Sequence, residues 1–253
     1  MNAIEQNPSR VSGRTVALVT GANKGIGYAV AKGLGDLGFV VLVGARDAQR
    51  AHEAVARLGA DGVSARAVVV DITDDESVAA AATTIRSRFG RLDVLVNNAA
   101  VKFEFHPSPP SVTPIEVVRQ TYETNVFGTM RVMQAMLPLL REAPSPRIVN
   151  VSSGLGSLGY AADPSTIYAR KPLLGYSTAK AALNSMTLQF ANELRETPIK
   201  INACDPGYVR TDMTHNDGSR RPEQAAMLIV RLATLPDDGP SGGFFDEKGP
   251  IPW

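Results

Sequence analysis

The chain is short of the residues that staple, tether or metallate a protein. Its 253 residues include a single cysteine, Cys204, so no intramolecular disulfide can form, which suits a reducing compartment. The three histidines, His52, His106 and His215, are scattered without ligand spacing, so no metal site is expected. No apolar run reaches the roughly 18 residues a membrane span requires. Met1–Ser12 lacks the apolar core of a secretory signal and reads as a frayed tail. Neither sign of charge is in excess: 26 Lys and Arg face 25 Asp and Glu, for a net +1. That balance offers no electrostatic footprint for nucleic acid or an anionic membrane. A cytoplasmic protein without nucleic-acid or membrane partners is the expectation. Low-complexity tracts, linkers and internal repeats beyond a strand–helix rhythm are also missing, which predicts one domain over 1–253.

Apolar residues make up 44% of the chain, enough for a full core at this length. Short apolar runs at Val16–Thr20, Phe39–Val43, Ala65–Val70 and Val94–Val96 alternate with helical stretches at Ile26–Leu37, Ala48–Leu58 and Asp74–Phe89. These runs are continuously apolar, as parallel strands covered on both faces are. Repeated strand–helix–strand units predict an α/β fold, a doubly wound, mostly parallel sheet with helices on both faces. A proline-rich loop, Lys102–Pro114, precedes a long helix at about Ile115–Leu140. Further strands are expected at Arg147–Val151, Ile199–Cys204 and Gly242–Phe245, about seven in all. Helices are expected at Ser177–Arg195 and Pro222–Leu235. Gly154–Gly175 reads as an irregular insert.

Between the first strand and first helix lies Thr20-Gly21-Ala22-Asn23-Lys24-Gly25-Ile26-Gly27. Gly21 permits the sharp turn, Gly25 a close backbone approach to a pyrophosphate, and Gly27 tight helix–strand packing. The helix start offers unpaired N–H groups and a positive dipole end. The spacing is G-x-x-x-G-x-G rather than G-x-G-x-x-G. An acidic residue at the end of the second strand would bind a ribose 2′-hydroxyl. Here Arg46 stands 19 residues after Gly27, and a guanidinium can grip a 2′-phosphate. Lys24 adds a second positive charge, while Asp47 reads as a helix cap. NADPH/NADP+ is the cofactor this predicts.

With these elements, the chain resembles the short-chain dehydrogenase/reductase family, most closely its single-domain NADPH-dependent carbonyl reductases. Asn97-Asn98-Ala99-Ala100 resembles N-N-A-G, with Ala100 replacing the glycine. Tyr176-Ser177-Thr178-Ala179-Lys180 resembles Y-x-x-x-K, Ser152-Ser153 the catalytic serine site, and Pro206-Gly207-Tyr208-Val209-Arg210-Thr211 the P-G element. Thr124-Asn125 falls where the family carries its active-site asparagine. The order and spacing match from about residue 14 to 245. The resemblance implies a single-domain Rossmann fold and a cofactor held along Gly21, Asn23, Lys24, Gly25, Ile26, Gly27, Arg46, Asp71, Ile72, Asn98, Tyr176, Lys180, Pro206, Gly207, Val209 and Thr211. Asp71 would meet the adenine, Asn98 would lie against the cofactor, and Thr211 would hold the nicotinamide carboxamide.

Reduction of a carbonyl needs a hydride, which the cofactor supplies, and a proton, which the protein must supply. Tyr176 is the candidate acid. Free tyrosine has a pKa near 10, and the charge of Lys180, at i+4 on the same helix face, together with that of the oxidised nicotinamide, is expected to lower it. By resemblance, Lys180 also binds the nicotinamide ribose. Ser153 would hydrogen-bond the carbonyl oxygen, and Asn125 would hold a water linking Lys180 to solvent. Only one of Ser152 and Ser153 can face the substrate, and the family pattern favours Ser153. Tyr28 and Lys32 repeat the Y-x-x-x-K spacing in the first helix and read as a surface pair. Cys204 reads as a buried strand residue, and Met130, Met133 and Met136 as a packing stripe. Tyr160 and Tyr168, in the insert, lean towards a structural role over lining the substrate pocket. The partner expected is a small ketone or aldehyde. The 22-residue insert between Ser153 and Tyr176 leaves monomer and homodimer both open. The alternatives are an NAD-linked alcohol or steroid dehydrogenase and a catalytically silent dinucleotide-binding regulator.

Overall fold

The computed structural model describes residues 15–104 and 106–253; the expected terminal tail, Met1–Ser12, lies outside them. The chain runs β1 (Val16–Thr20), α1 (Gly25–Asp36), β2 (Val40–Ala45), α2 (Ala48–Ala60), β3 (Ala65–Val69), α3 (Asp75–Phe89) and β4 (Val94–Asn97). Then come α4 (Ile115–Tyr122), a π-helical turn (Glu123–Gly128), α5 (Thr129–Leu140) and β5 (Arg147–Val151). The second half adds α6 (Leu158–Ala162), α7 (Leu174–Glu193), β6 (Lys200–Cys204), α8 (Pro222–Ala233), β7 (Phe244–Asp246) and β8 (Gly249–Pro250).

The described strands form one sheet in the order β3-β2-β1-β4-β5-β6-β7-β8, parallel throughout except for the β7–β8 hairpin. Alternate residues along a strand point to opposite faces, and here both faces are covered. Ala17, Val19, Val41 and Val43 pack with α1, α2 and α8. Leu18, Val40, Leu42 and Leu95 pack with α3, α5 and α7. Two cores explain the continuous apolar runs. β3 departs from the expectation: as the edge strand it leaves Arg66 and Val69 exposed.

Three other features differ from the sequence expectation. The sheet has eight strands, because Asp246 accepts from the Lys248 and Gly249 amides and turns the chain into β8. The helix from Ile115 to Leu140 contains the π-turn, where Thr129 Oγ1 bonds back to the Asn125 carbonyl. The Tyr176 helix starts at Leu174, inside the expected insert, for a reason given below. The rest of the insert holds a 3-10 turn (Gly154–Gly156) and α6. The chain's end fastens it: Ser157 Oγ donates to the Pro252 carbonyl at 2.7 Å, and the Gly159 amide to that of Trp253 at 2.8 Å. Met133 and Met136 are fully buried, as a packing stripe requires. Among the described residues, no helix is long and apolar enough to cross a membrane.

Because β2 and β3 lie on one side of β1 and β4–β8 on the other, the chain reverses direction across the sheet between β1 and β4. A crevice opens at the carboxyl ends of strands at such a switch point.

Candidate active site

A cleft of about 700 Å³ occupies that crevice, walled by the loop after β1, the ends of β2, β3 and β4, the start of α7 and the turn after β6. The glycine loop turns as its residues demand. Gly21 and Gly25 have φ of 65° and 57°, in the left-handed region that side chains avoid. A Cβ on Gly27 would lie 2.5 Å from both Asn98 Nδ2 and the Gly21 carbonyl. Asn98 explains the closeness: its Nδ2 donates to the Thr20 carbonyl at 2.9 Å, while Thr20 Oγ1 accepts from the Asn98 and Ala99 amides. The loop is thus laced to the end of β4. α1 starts without a side-chain cap and without an acid in its first turn, so its N-terminal amides are available to an anion in the cleft.

At the β2 end, Arg46 lines the cleft. Asp47 does cap α2, its carboxylate accepting the Arg50 amide at 3.0 Å, which leaves Arg46 as the charged side chain of that turn facing the cleft. Asp71 accepts from the amide and hydroxyl of Thr73. Those bonds, with a smaller contribution from the Arg46 charge, hold its carboxyl below the usual range. Lys24 is tied to the Asp212 carboxylate. Arg57, absent from the expected set, lies 4.4 Å over the Tyr28 ring and donates to the Asn23 carbonyl at 2.9 Å. Lys32 pairs with Asp36 instead of Tyr28, so the second Y-x-x-x-K is structural.

Tyr176 and Lys180 stand one turn apart at the start of α7. That start is set from a distance: the buried Glu104 carboxylate accepts the Gly175 amide at 3.1 Å and the Tyr176 amide at 2.8 Å. This capping draws the helix back to Leu174. Lys180 is buried; its Nζ donates to the Val151 carbonyl at 2.7 Å and lies 5.7 Å from the Tyr176 ring centroid. Burial pushes the ammonium down to about 8, against the opposing pull of Cys204 and Asp205. Burial also drives the Tyr176 phenol up, Asp205 adds to this, and a hydrogen bond with Ser153 works the other way. Lys180 is expected to lower the Tyr176 pKa jointly with the charge of an oxidised nicotinamide; without that charge burial is the dominant influence on the phenol, and the ammonium is engaged by the Val151 carbonyl.

Ser152 is part of the cleft wall, but it is buried and its hydroxyl donates to Asn184 Oδ1 at 2.6 Å; Ser153 stands outside that wall and hydrogen-bonds Tyr176. Asn125 clamps the loop after β4 through both ends of its amide, accepting the Val101 N–H and donating to the Val101 carbonyl, each at 2.8 Å. Its backbone carbonyl in turn accepts the Thr129 hydroxyl at 3.1 Å. A buried relay, Asn97 to Asn150 at 2.8 Å and Asn150 to Thr187 at 2.9 Å, ties β4, β5 and α7 together. It holds Asn98, Ser153 and Lys180 in mutual register.

Of the expected cofactor residues, Gly21, Asn23, Lys24, Gly25, Ile26, Arg46, Asp71, Ile72, Asn98, Tyr176, Lys180, Pro206 and Thr211 line the cleft. Gly27, Gly207 and Val209 stand outside its wall. Gly27 serves packing, Gly207 adopts φ 77° against the Arg220 side chain, and Val209 is buried in a bridge with Arg220. The loop after β4 contributes Lys102 and Phe103 to the cleft wall, and the turn after β6 contributes Asp212, Met213 and Asn216. Tyr160 and Tyr168 stack on each other at 4.9 Å, and Tyr168 donates to Asp205 at 3.2 Å. Glu104 and Asp205 were missed; each acts on residues far away in sequence, and no local pattern marks them.

A model of the short chain dehydrogenase family matches residues 15–222. A short-chain dehydrogenase of Penicillium roqueforti, anuI, is 38% identical over 227 residues, spanning 87% of this chain and 89% of its own. Carbonyl reductase (NADPH) 1 of Rattus norvegicus is 36% identical over 281 residues, spanning 96% and 99%. The structure of an NADPH-bound carbonyl reductase from chicken fatty liver superposes with a TM-score of 0.82 at 28% identity, covering 95% of this chain and all of that one.

Proposed function

The chain belongs to the short-chain dehydrogenase family, and from that premise we propose that it is an NADPH-dependent oxidoreductase reducing a ketone or aldehyde to an alcohol. The observation that carries this is one cleft with Arg46 at one end and a half-buried Tyr176, one helical turn before Lys180, at the other.

The residues fit the cofactor. The positive-φ glycines and the uncapped start of α1 form an anion cradle. Arg46 would hold the 2′-phosphate, Asp71 the adenine edge, and Thr211 the nicotinamide end. NADPH supplies the hydride. Tyr176 donates its proton to the carbonyl oxygen as negative charge develops there, a contribution of about 10²–10⁴ in rate. Ser153 gives the same oxygen a hydrogen bond. Lys180 would bind the ribose hydroxyls of the cofactor and steady the phenolate once the proton has left. The Asn125 carbonyl is the acceptor through which a water would return a proton to Lys180.

The test is loss of NADPH absorbance over a panel of ketones and aldehydes, repeated with NADH and with Tyr176→Phe. Turnover with NADPH that vanishes in the variant is expected. Tight NADPH binding without turnover of any carbonyl, or equal rates with NADH, would sink the proposal.

A further inference from the structure

The segment Val101–Glu104, in the loop after β4, is pinned at both ends. Val101 exchanges two hydrogen bonds with the Asn125 side chain, each at 2.8 Å, and Glu104 accepts the Gly175 and Tyr176 amides. Lys102 and Phe103, the two residues between, both line the cleft. They are therefore held at its Tyr176 end, next to the carboxylate that meets the Tyr176 amide at 2.8 Å. Phe103 is exposed there and offers an apolar face. Lys102 is half-buried, and among the described residues its ammonium has no hydrogen-bond or ion-pair partner. Glu104, the acid nearest in sequence, turns one oxygen to each of two α7 amides instead. Further along the loop, the Ser108 amide donates to the Pro172 carbonyl at 3.1 Å. That bond lays the loop beside the end of the insert, where Lys171 stands 5.4 Å from the Tyr208 ring centroid. Burial holds the Lys102 ammonium below its usual pKa; the Glu104 charge opposes this and the Lys171 charge adds to it.

The other cations of the cleft are engaged or distant. Lys24 pairs with Asp212, Lys180 donates to the Val151 carbonyl, and Arg210 Nε donates to the Gly218 carbonyl at 2.7 Å. Arg46 stands at the β2 end, where the cofactor phosphate would lie. The reduced nicotinamide carries no charge, so the cofactor would leave Lys102 without a counter-ion. A partly desolvated ammonium with a second cation nearby is stabilised by an anion between them. We propose that Lys102 is a specificity-determining residue: the carbonyl compounds reduced here carry a carboxylate, which seats on the Lys102 ammonium while an apolar body packs on Phe103. The inference rests on the oxidoreductase reading above and names the substrate class of that same site. Lysine meets a carboxylate as a point charge, so it is the charge of the substrate that is read.

The measurement is kcat/KM with NADPH for meta- and para-carboxybenzaldehyde, each against its methyl ester, in the wild type, Lys102→Met and Lys102→Arg. The wild type should favour at least one acid over its ester by roughly tenfold or more, chiefly through KM. Lys102→Met should erase that ratio and Lys102→Arg should keep it. Acid-to-ester ratios near unity in the wild type overturn the proposal, and so does an acid preference that survives in Lys102→Met. A second measurement needs no turnover. The product alcohols, meta- and para-(hydroxymethyl)benzoate, and their methyl esters are titrated calorimetrically into the protein with NADPH, a mixture in which no hydride can move. The acid should bind more tightly than the ester by a similar factor in the wild type and lose that advantage in Lys102→Met. Equal binding of acid and ester in the wild type overturns the role of Lys102. If the binding difference is present while no aldehyde turns over, the oxidoreductase reading fails and Lys102 stands as a carboxylate site.

Discussion

Lys24 and Asp212 form an ion pair that joins the glycine loop after β1 to the turn after β6, and both residues line the cleft. Their side chains are 59% and 69% exposed, so water screens the pair and its contribution to stability is under about 1 kcal/mol. The Asp212 carboxyl is held below its usual range by the hydrogen bond and charge of Lys24; any stabilisation it gives is present at neutral pH and lost as pH falls through that lowered value. Placed across the cleft, the pair must open or flex when a dinucleotide enters and leaves. Asp212→Ala is expected to leave the thermal midpoint nearly unchanged and to speed NADPH dissociation several-fold in stopped-flow fluorescence. An unchanged dissociation rate would mean that the pair plays no part in retention.

Lys24 being engaged by Asp212 sharpens the assignment of the 2′-phosphate to Arg46. Asp47, the acid that could have argued for a ribose hydroxyl, is occupied as the cap of α2. Arg46→Asp removes the guanidinium and sets an acid against the phosphate. A charge-assisted hydrogen bond is worth about 1.5–3 kcal/mol, so kcat/KM with NADPH should fall by roughly 10- to 100-fold, with NADH favoured in its place. The ratio of the two specificity constants is the measurement. A retained NADPH preference would transfer the phosphate to Lys24.

Burial lowers Lys180 from 10.5 to about 8. The unfolded chain keeps this lysine protonated up to about pH 10.5, while the folded chain releases its proton from about pH 8. Between those limits the unfolded state binds more protons, so stability contributed by this site rises with pH. The cost of the buried cation is felt in full below about pH 8. Chemical denaturation of the wild type and Lys180→Met on either side of that pH is the check. The wild type should gain stability relative to the variant as pH rises; parallel curves would show that the ammonium is better solvated than its surroundings indicate.

Much of the site was legible because its parts are local. The loop from Thr20 to Gly27, Arg46 at a strand end, and Tyr176 four residues before Lys180 are each spelled within a few residues, and secondary structure alone sets them on one face or turn. Strand positions were equally plain, since two buried faces make an apolar run that no amphipathic helix would show. What escaped are pairings across long separations. Glu104 caps a helix 71 residues away, Asp205 meets Tyr168 from the insert, and Asn125 clamps the loop at Val101. The engagement of the Lys180 ammonium by the Val151 carbonyl is non-local in the same way, since it joins α7 to the end of β5. The π-turn also left no distinct mark in the sequence: poor helix formers such as Asn125 and Gly128 sit there inside a longer helical stretch, and the clamp on Val101 is not a local feature.

Two glycine substitutions separate the demands of the site from those of the helix. Gly27 lies in the first turn of α1, and an added Cβ would meet backbone and the Asn98 amide at 2.5 Å. Neither neighbour can yield, since Asn98 Nδ2 bonds the Thr20 carbonyl and the Gly21 carbonyl is part of the loop itself. Gly27→Ala must therefore push the loop off β4, and NADPH affinity should fall at least tenfold. Gly59 sits in α2 with nothing within 4 Å of its ideal Cβ. There the methyl group meets no obstacle and the unfolded chain loses freedom, so Gly59→Ala should stabilise by about 0.5–1 kcal/mol. Isothermal titration with NADPH and thermal melts of both variants give the contrast. If Gly27→Ala bound NADPH as tightly as wild type while Gly59→Ala behaved as expected, the glycine would be serving helix packing alone, and the cradle for the pyrophosphate would have to be sought at Gly21 and Gly25.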